Sequence, residues 1–204
     1  MSKSVYNYIG EAWKRPYDGD VKELNRQRLI EWRQDESFVR VLRPLRLDRA
    51  RMLGYRAKQG FAIIRAKVRT GSFRKRAIRK GRRARRRGII RMRVNKNLQR
   101  IAEERVAKRY PNMEVLNSYY VGEDGKSRFY EIILVDPHHP AIINDPKINW
   151  IQGRQHTRRV FRGLTAAGKR RRGLLSKGKG AEKVRPSVGA NVHKKRPGRR
   201  NRIP

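Results

Sequence analysis

The sequence predicts an α+β fold: a small mixed or antiparallel sheet with packed helices and long basic extensions that lack a core of their own. Three observations lead there. Apolar residues recur at helical spacing in the N-terminal part and again after residue 97. Three stretches, near 61–69, 113–121 and 128–135, are rich in β-branched and aromatic residues. The charge is sharply divided, which separates a near-neutral unit from strongly cationic segments.

The elements follow in chain order. Residues 4–14 read as a helix, with Val5, Tyr8, Ile9 and Trp13 on its apolar side and Pro16 beyond its end. Asp20 is positioned to cap a second helix over Val21, Leu24, Leu29 and Trp32. Residues 40–56 are Arg-rich and broken by proline. From Ala62 the chain alternates, with Ala62, Ile64, Ala66 and Val68 on one face and Arg65, Lys67 and Arg69 on the other. Period 2 sets the apolar row against a core and points the cations outward, to solvent or to an anion. The basic run that follows favours the anion.

Leu98, Ile101, Ala102 and Val106 carry the next helix, with Glu104 four residues before Lys108 and Pro111 as its stop. The strand at 113–121 and the strand at 128–135 are joined through Asp124-Gly125, a turn signal, so a hairpin is expected. Residues 151–204 show no apolar periodicity and are punctuated by glycine, so alone in water they are expected to stay disordered. The organisation is 1–64, N-terminal helices and an Arg-rich segment; 65–96, a basic excursion; 97–150, the helix and hairpin that complete the core; 151–204, a basic Gly-rich extension.

The 204 residues hold 55 Lys+Arg against 17 Asp+Glu, net +38. Residues 65–96 contain 16 basic and no acidic residues, and residues 151–204 contain 18 basic and one acidic. Such an excess repels itself unless a polyanion neutralises it, which argues against a free metabolic enzyme and for a nucleic acid partner. There is no cysteine, so disulfides, thiol catalysis and Cys-bound zinc are excluded. No apolar run exceeds four residues, and no signal-like stretch follows Met1, so an aqueous intracellular setting is expected.

Two motifs imitate a nucleotide site. Gly163–Lys169 matches G-x-x-x-x-G-K, but Arg170 stands where Ser or Thr must reach Mg²⁺. The loop from Gly173 fails in the same way. No apolar strand precedes either loop, so neither is read as a phosphate cradle. His138 and His139, adjacent between prolines, point to opposite sides of an extended backbone and cannot readily share a metal. No catalytic constellation, cofactor site or metal site is expected.

The basic material is richer in Arg than in Lys, and Arg binds phosphate with a planar fork and stacks on bases. Folded RNA, which presents phosphates from many directions, suits thin basic extensions. A DNA-compacting protein is the rival; no helix-turn-helix, zipper or finger pattern supports it.

Several ordered blocks resemble one family over nearly the whole chain. They are Tyr6–Trp13, Leu53–Gly60, Ala102–Arg105, Val115–Asp124, Phe129–Ile142 and Arg162–Lys169. They resemble the archaeal/eukaryotic-type large-subunit ribosomal protein fifteen, and the nearly pure Arg run looks more archaeal than eukaryotic. The resemblance implies a non-enzymatic structural protein of the cytoplasmic ribosome. Its partners would be large-subunit ribosomal RNA and neighbouring large-subunit proteins, with no membrane and no small-molecule substrate.

The residue assignments rest on charge. Phosphate contacts are expected from Arg43, Arg46, Arg49, Arg51, Lys58, Arg65, Lys67 and Arg69. The excursion adds Arg74, Lys75, Arg76, Arg79, Lys80, Arg82, Arg83, Arg85, Arg86, Arg87, Arg91 and Arg93. The C-terminal extension adds Arg158, Arg159, Arg162, Lys169, Arg170, Arg171 and Arg172. Phe73, His156 and Phe161 are the candidates for base stacking.

Overall fold

The computed structural model describes residues 3–74, 96–176, 178, 181–185, 187 and 189–191. The N-terminal periodicity forms α1 (Val5–Lys14) and α2 (Gly19–Gln34). The cap position of α2 is Asp18; Asp20, expected to cap, lies inside the first turn, where its charge still favours the positive helix end. Two elements arise where the sequence showed only Arg-rich chain: β1 (Phe38–Val41) and α3 (Leu47–Met52). Each is too short to display a period.

The predicted strand and helix follow as β2 (Phe61–Arg69) and α4 (Leu98–Arg109), the latter capped by the Asn97 side chain, which accepts from the Arg100 N–H at 2.8 Å. The hairpin is β3 (Glu114–Glu123) and β4 (Ser127–Val135). Short α5 (Pro140–Ile143) and α6 (Ala166–Arg171) complete the longer elements. His139 does polar turn work, its Nδ1 accepting from the Ala141 N–H at 3.1 Å.

The sheet has strand order β1-β2-β4-β3 with every pair antiparallel. β4 lies inside and is buried from Phe129 to Val135, which is why Ile132–Val135 runs apolar without alternation. On one face, Trp32, Ala50, Tyr55 and Ile142 pack against Ile63, Phe129 and Ile133. On the other, Ala102 and Val106 of α4, with Val160, cover Ile64, Ala66 and Ile132.

Burial on both faces corrects the reading of β2. Arg65 and Lys67 do not look out at solvent or an anion; they lie under the C-terminal end of α2. Arg65 is ion-paired with Asp35, and its guanidinium stands 4.8 Å from the Trp32 ring centroid. Lys67 Nζ donates to the carbonyls of Arg33 at 3.1 Å and Asp35 at 2.5 Å. Those carbonyls have no partner within the helix, so the lysine satisfies its negative end. Only Arg69, at the end of the strand, is exposed. Glu104 also departs from expectation, receiving Arg100 Nε at 3.0 Å and Lys96 at 2.6 Å rather than Lys108.

The C-terminal extension is corrected too. Its first part belongs to the core: Ile151, Val160, Thr165 and Ala167 are each 1% exposed. Thr165 Oγ1 donates to Glu103 at 2.6 Å, and Ser118 Oγ donates to the same carboxyl at 2.5 Å. One buried acid thereby joins α4, β3 and the segment leading into α6. Gly163 has φ +69°, and a Cβ on Gly168 would fall 2.6 Å from the Gly163 Cα. The glycine spacing that imitates a phosphate loop is a backbone-on-backbone contact.

Two glycines and one acid put this packing to the test. Gly168→Ala forces that backbone contact apart and is expected to cost about 1–3 kcal/mol in thermal unfolding. Gly125→Ala, with nothing within 4 Å of the added carbon, should shift the midpoint far less. Burial raises the Glu103 carboxyl above its ordinary 4.5. The protonated acid is therefore favoured in the fold; its contribution is fully present below the unfolded value and lost as pH rises through the folded one. Glu103→Gln mimics the protonated form at every pH. The variant is expected to gain stability relative to the parent as pH rises from ~4 to ~8; a difference that stays flat over that range would contradict the assignment.

Candidate nucleic-acid interface

The cations expected to meet phosphate fall into two classes. Arg43, Arg49, Arg69, Arg74, Lys169 and Arg170 are exposed and make no side-chain hydrogen bond or ion pair among the described residues. Arg158 is also exposed, and its side chain has no such partner there. Arg171 is exposed at the end of α6, beside Lys169 and Arg170. These groups stand on β2's end, around α3 and on α6, so separate elements deliver cations to the surface.

The second class holds the protein together. Lys58 Nζ is paired with Asp145 and donates to the Ala141 carbonyl at 3.0 Å, tying the loop before β2 to α5. The Lys58 contact holds the Asp145 carboxyl below its usual range. Arg46 lies 4.8 Å from the Trp13 ring centroid and 3.5 Å from Asp48. Arg51 donates to the Tyr6 hydroxyl, which joins α3 to α1. Arg65 and Lys67 belong to this class as described, and half-buried Arg172 donates to the Gly163 carbonyl at 3.4 Å.

Arg159 is the clearest departure from a phosphate contact. It is 9% exposed, and its Nη1 donates to the carbonyls of Val115 at 3.0 Å and Leu116 at 2.7 Å. Those carbonyls sit where the β3–β4 register shifts, on a strand at the sheet's edge. An exposed edge invites pairing with another chain, and the guanidinium blocks it. The neighbouring Arg158 has φ +51°, a left-handed conformation that disfavours a residue with a Cβ. That reversal, with the Arg158 N–H donating to Glu114 at 2.7 Å, turns one arginine out and the next in. Arg162 is exposed, its Nη2 braced by the Thr157 carbonyl at 2.9 Å.

Of the stacking candidates, Phe73 is 47% and Phe161 39% exposed. Phe161 borders a cleft of about 480 Å³ together with Lys108 and Arg158. His156 is half-buried, with its ring edge-on to Trp150 at 4.8 Å between centroids, and Arg159 stands 5.1 Å from the Trp150 ring. Burial, then Arg159 and Arg162, lowers the His156 pKa, so the ring is neutral at pH 7. Lys75, Arg76, Arg79, Lys80, Arg82, Arg83, Arg85, Arg86, Arg87, Arg91 and Arg93 lie outside the described residues.

Exposed cations also occur where the net charge is near zero, at Arg105, Lys108, Arg109, Lys147 and, just beyond, Arg154. Net charge hides them because the acids of residues 97–150 are turned to internal use. Glu103 and Glu131 are buried. Glu104, Glu123, Asp124 and Asp145 are ion-paired. Glu114 and Asp136 accept from backbone N–H groups. No group of three or more potential metal ligands occurs among the described residues.

A protein-family model described as Ribosomal L15 matches residues 4–191 of this chain. A relative from Methanospirillum hungatei JF-1, "Large ribosomal subunit protein eL15", is 55% identical over 194 residues, covering 95% of this chain and 99% of its own length.

The two arginines at the reversal are expected to separate by experiment. Arg159→Ala leaves two edge carbonyls and should lower the stability of the RNA-free protein by about 2 kcal/mol, read by thermal unfolding. Arg158→Gly relieves a left-handed backbone and should leave stability equal or higher.

Proposed function

The chain belongs to the ribosomal protein L15e family, and from that premise we propose that its exposed cations bind large-subunit ribosomal RNA, neutralising phosphates and fixing RNA helices relative to one another. A member of this family is a structural constituent of the large ribosomal subunit, serving translation, and not an enzyme. The observation that carries the RNA reading is the division of the cations. Those facing inward have carboxylates, carbonyls or rings as partners, whereas Arg43, Arg49, Arg69, Lys169 and Arg170 are exposed without a partner among the described residues.

The folded unit acts as an anchor. Its buried sheet fixes where each exposed cation stands, so phosphates are met in a defined arrangement. Each phosphate neutralised releases counterions, which makes affinity fall as salt rises. Phe73 and Phe161, half-exposed beside cations, supply faces for unpaired bases. Neighbouring large-subunit proteins are the second class of partner.

Binding of the full chain to a large-subunit rRNA fragment, followed across a salt series, tests this. A steep negative log–log slope is expected, and Lys169→Gln with Arg170→Gln should make it shallower by ~0.7–0.9 for each phosphate left without its cation. Unchanged folding in the absence of RNA must accompany that change. A slope near zero for the parent chain, or preferential recovery of DNA on crosslinking, would overturn the proposal.

A further inference from the structure

A cleft of about 490 Å³ lies between the α1–α2 corner and the far end of β3; of the cations assigned above, Arg46 lines it, and Arg65 and Lys67 lie behind its Trp32 and Arg33 walls. Its floor is Trp32, 4% exposed, together with Leu29. Gly122 brings the β3 backbone onto that indole, since a Cβ there would stand 3.2 Å from the ring. Tyr17, 77% exposed, and Tyr120, 40% exposed, line the opening, and Trp13 and Ile30 complete the apolar walls. An open aromatic cleft on a chain of net +38 is a concentrated apolar feature on an otherwise cationic surface.

Its rim is cationic in a regular way. Lys22, Arg26 and Arg33 recur along α2 at spacings that share one helix face, with Leu29 and Ile30 between them. Lys22 and Arg26 are exposed and make no ion pair among the described residues. The acid in its lining, Glu123, is engaged by Arg128 at 2.6 Å, and Arg33 is held by Asp124 at 3.1 Å. Asn25 is a fixed polar group in the wall, its Nδ2 donating to the Pro16 carbonyl at 3.2 Å and its Oδ1 accepting from Arg28 at 3.2 Å.

From this juxtaposition we propose that the cleft receives one unpaired nucleobase of the bound RNA, held against Tyr17 and Tyr120 with its flanking phosphates on Lys22 and Arg26. An apolar peptide would cover the aromatic walls and leave both cations without an anion. A nucleotide supplies a π-face and a phosphate together, which is the pairing of rings and charge that single-stranded sites use. The volume is that of a site for a small planar ligand, and the Asn25 amide stands where a base edge can be hydrogen-bonded. The inference rests on the RNA reading above.

The test uses the full chain and a large-subunit rRNA fragment. Ultraviolet crosslinking with mass spectrometry is expected to place a nucleotide adduct on Tyr17, Tyr120 or Trp13. The double variant Tyr17→Ala/Tyr120→Ala, altered only at exposed side chains, should lose about 5- to 100-fold in affinity with its salt slope unchanged, because stacking carries no counterion release. Lys22→Gln/Arg26→Gln should instead flatten the slope. If the parent chain binds and the tyrosine variant binds equally well, the cleft assignment fails and the RNA reading stands. If the parent chain does not bind, both fall. Protection of residues 13–33 from hydrogen exchange by ribosomal proteins without RNA would give the cleft to a protein partner and overturn the proposal.

Discussion

Like-charge repulsion is the constraint this fold answers to: 55 cations and 17 carboxylates share 204 residues. A chain so charged folds only if its few acids stand where they cancel the repulsion that matters most. Asp18, Asp20, Glu23, Glu31 and Glu36 stand exposed on and beside α2, while other acids sit at the joints of the fold. Asp35, Asp145, Asp124 and Glu104 each hold a cation that ties one segment to another. Glu131 lies buried on β4, accepting the Tyr119 hydroxyl at 2.5 Å and the Leu45 N–H at 3.1 Å. With the acids of residues 97–150 engaged in this way, Arg105, Lys108, Arg109 and Lys147 stand exposed without a carboxylate partner among the described residues.

The docking of residues 151–171 follows the same logic. This segment carries too little apolar surface to fold alone, yet it need not. It contributes three small buried groups, Ile151, Val160 and Ala167, to a core already built by the sheet and α4. It is then fastened by directed polar contacts: Arg159 on the β3 edge, Thr165 on Glu103 and Gly168 on Gly163. The anchor therefore extends to α6, and Lys169, Arg170 and Arg171 are presented from a helix rather than from a loose arm.

The long elements are legible in the sequence because their signals are local. Alternation in β2, the helical spacing of Leu98–Val106 and the Asp124-Gly125 turn each specify a segment by itself. What escapes depends on partners distant in sequence. β1 exists by pairing with β2, from Phe38 opposite Ala66 to Val41 opposite Ile63, and four residues cannot announce that. The row Arg65, Lys67 and Arg69 reads as outward-facing because a period of 2 tells which residues share a face, not what covers it; α2 covers it. Similarly, Arg158 and Arg159 are indistinguishable by composition, and only a backbone reversal sorts one out and the other in.

This sorting also governs how the protein responds to salt. The structural cations are half-buried or paired over short distances, and such pairs are screened little. The exposed ones stand in water, where interactions beyond a Debye length of ~8 Å at physiological ionic strength are screened strongly. Added salt meanwhile weakens the mutual repulsion of the free chain. Raising ionic strength therefore acts in opposite directions on the two properties, weakening any anion contact of the exposed cations while leaving the internal network, and hence the fold, in place. A basic protein whose arginines all served both purposes would unfold as it let go of RNA. Here the division between paired and exposed cations gives the fold an internal network that does not depend on an outside anion.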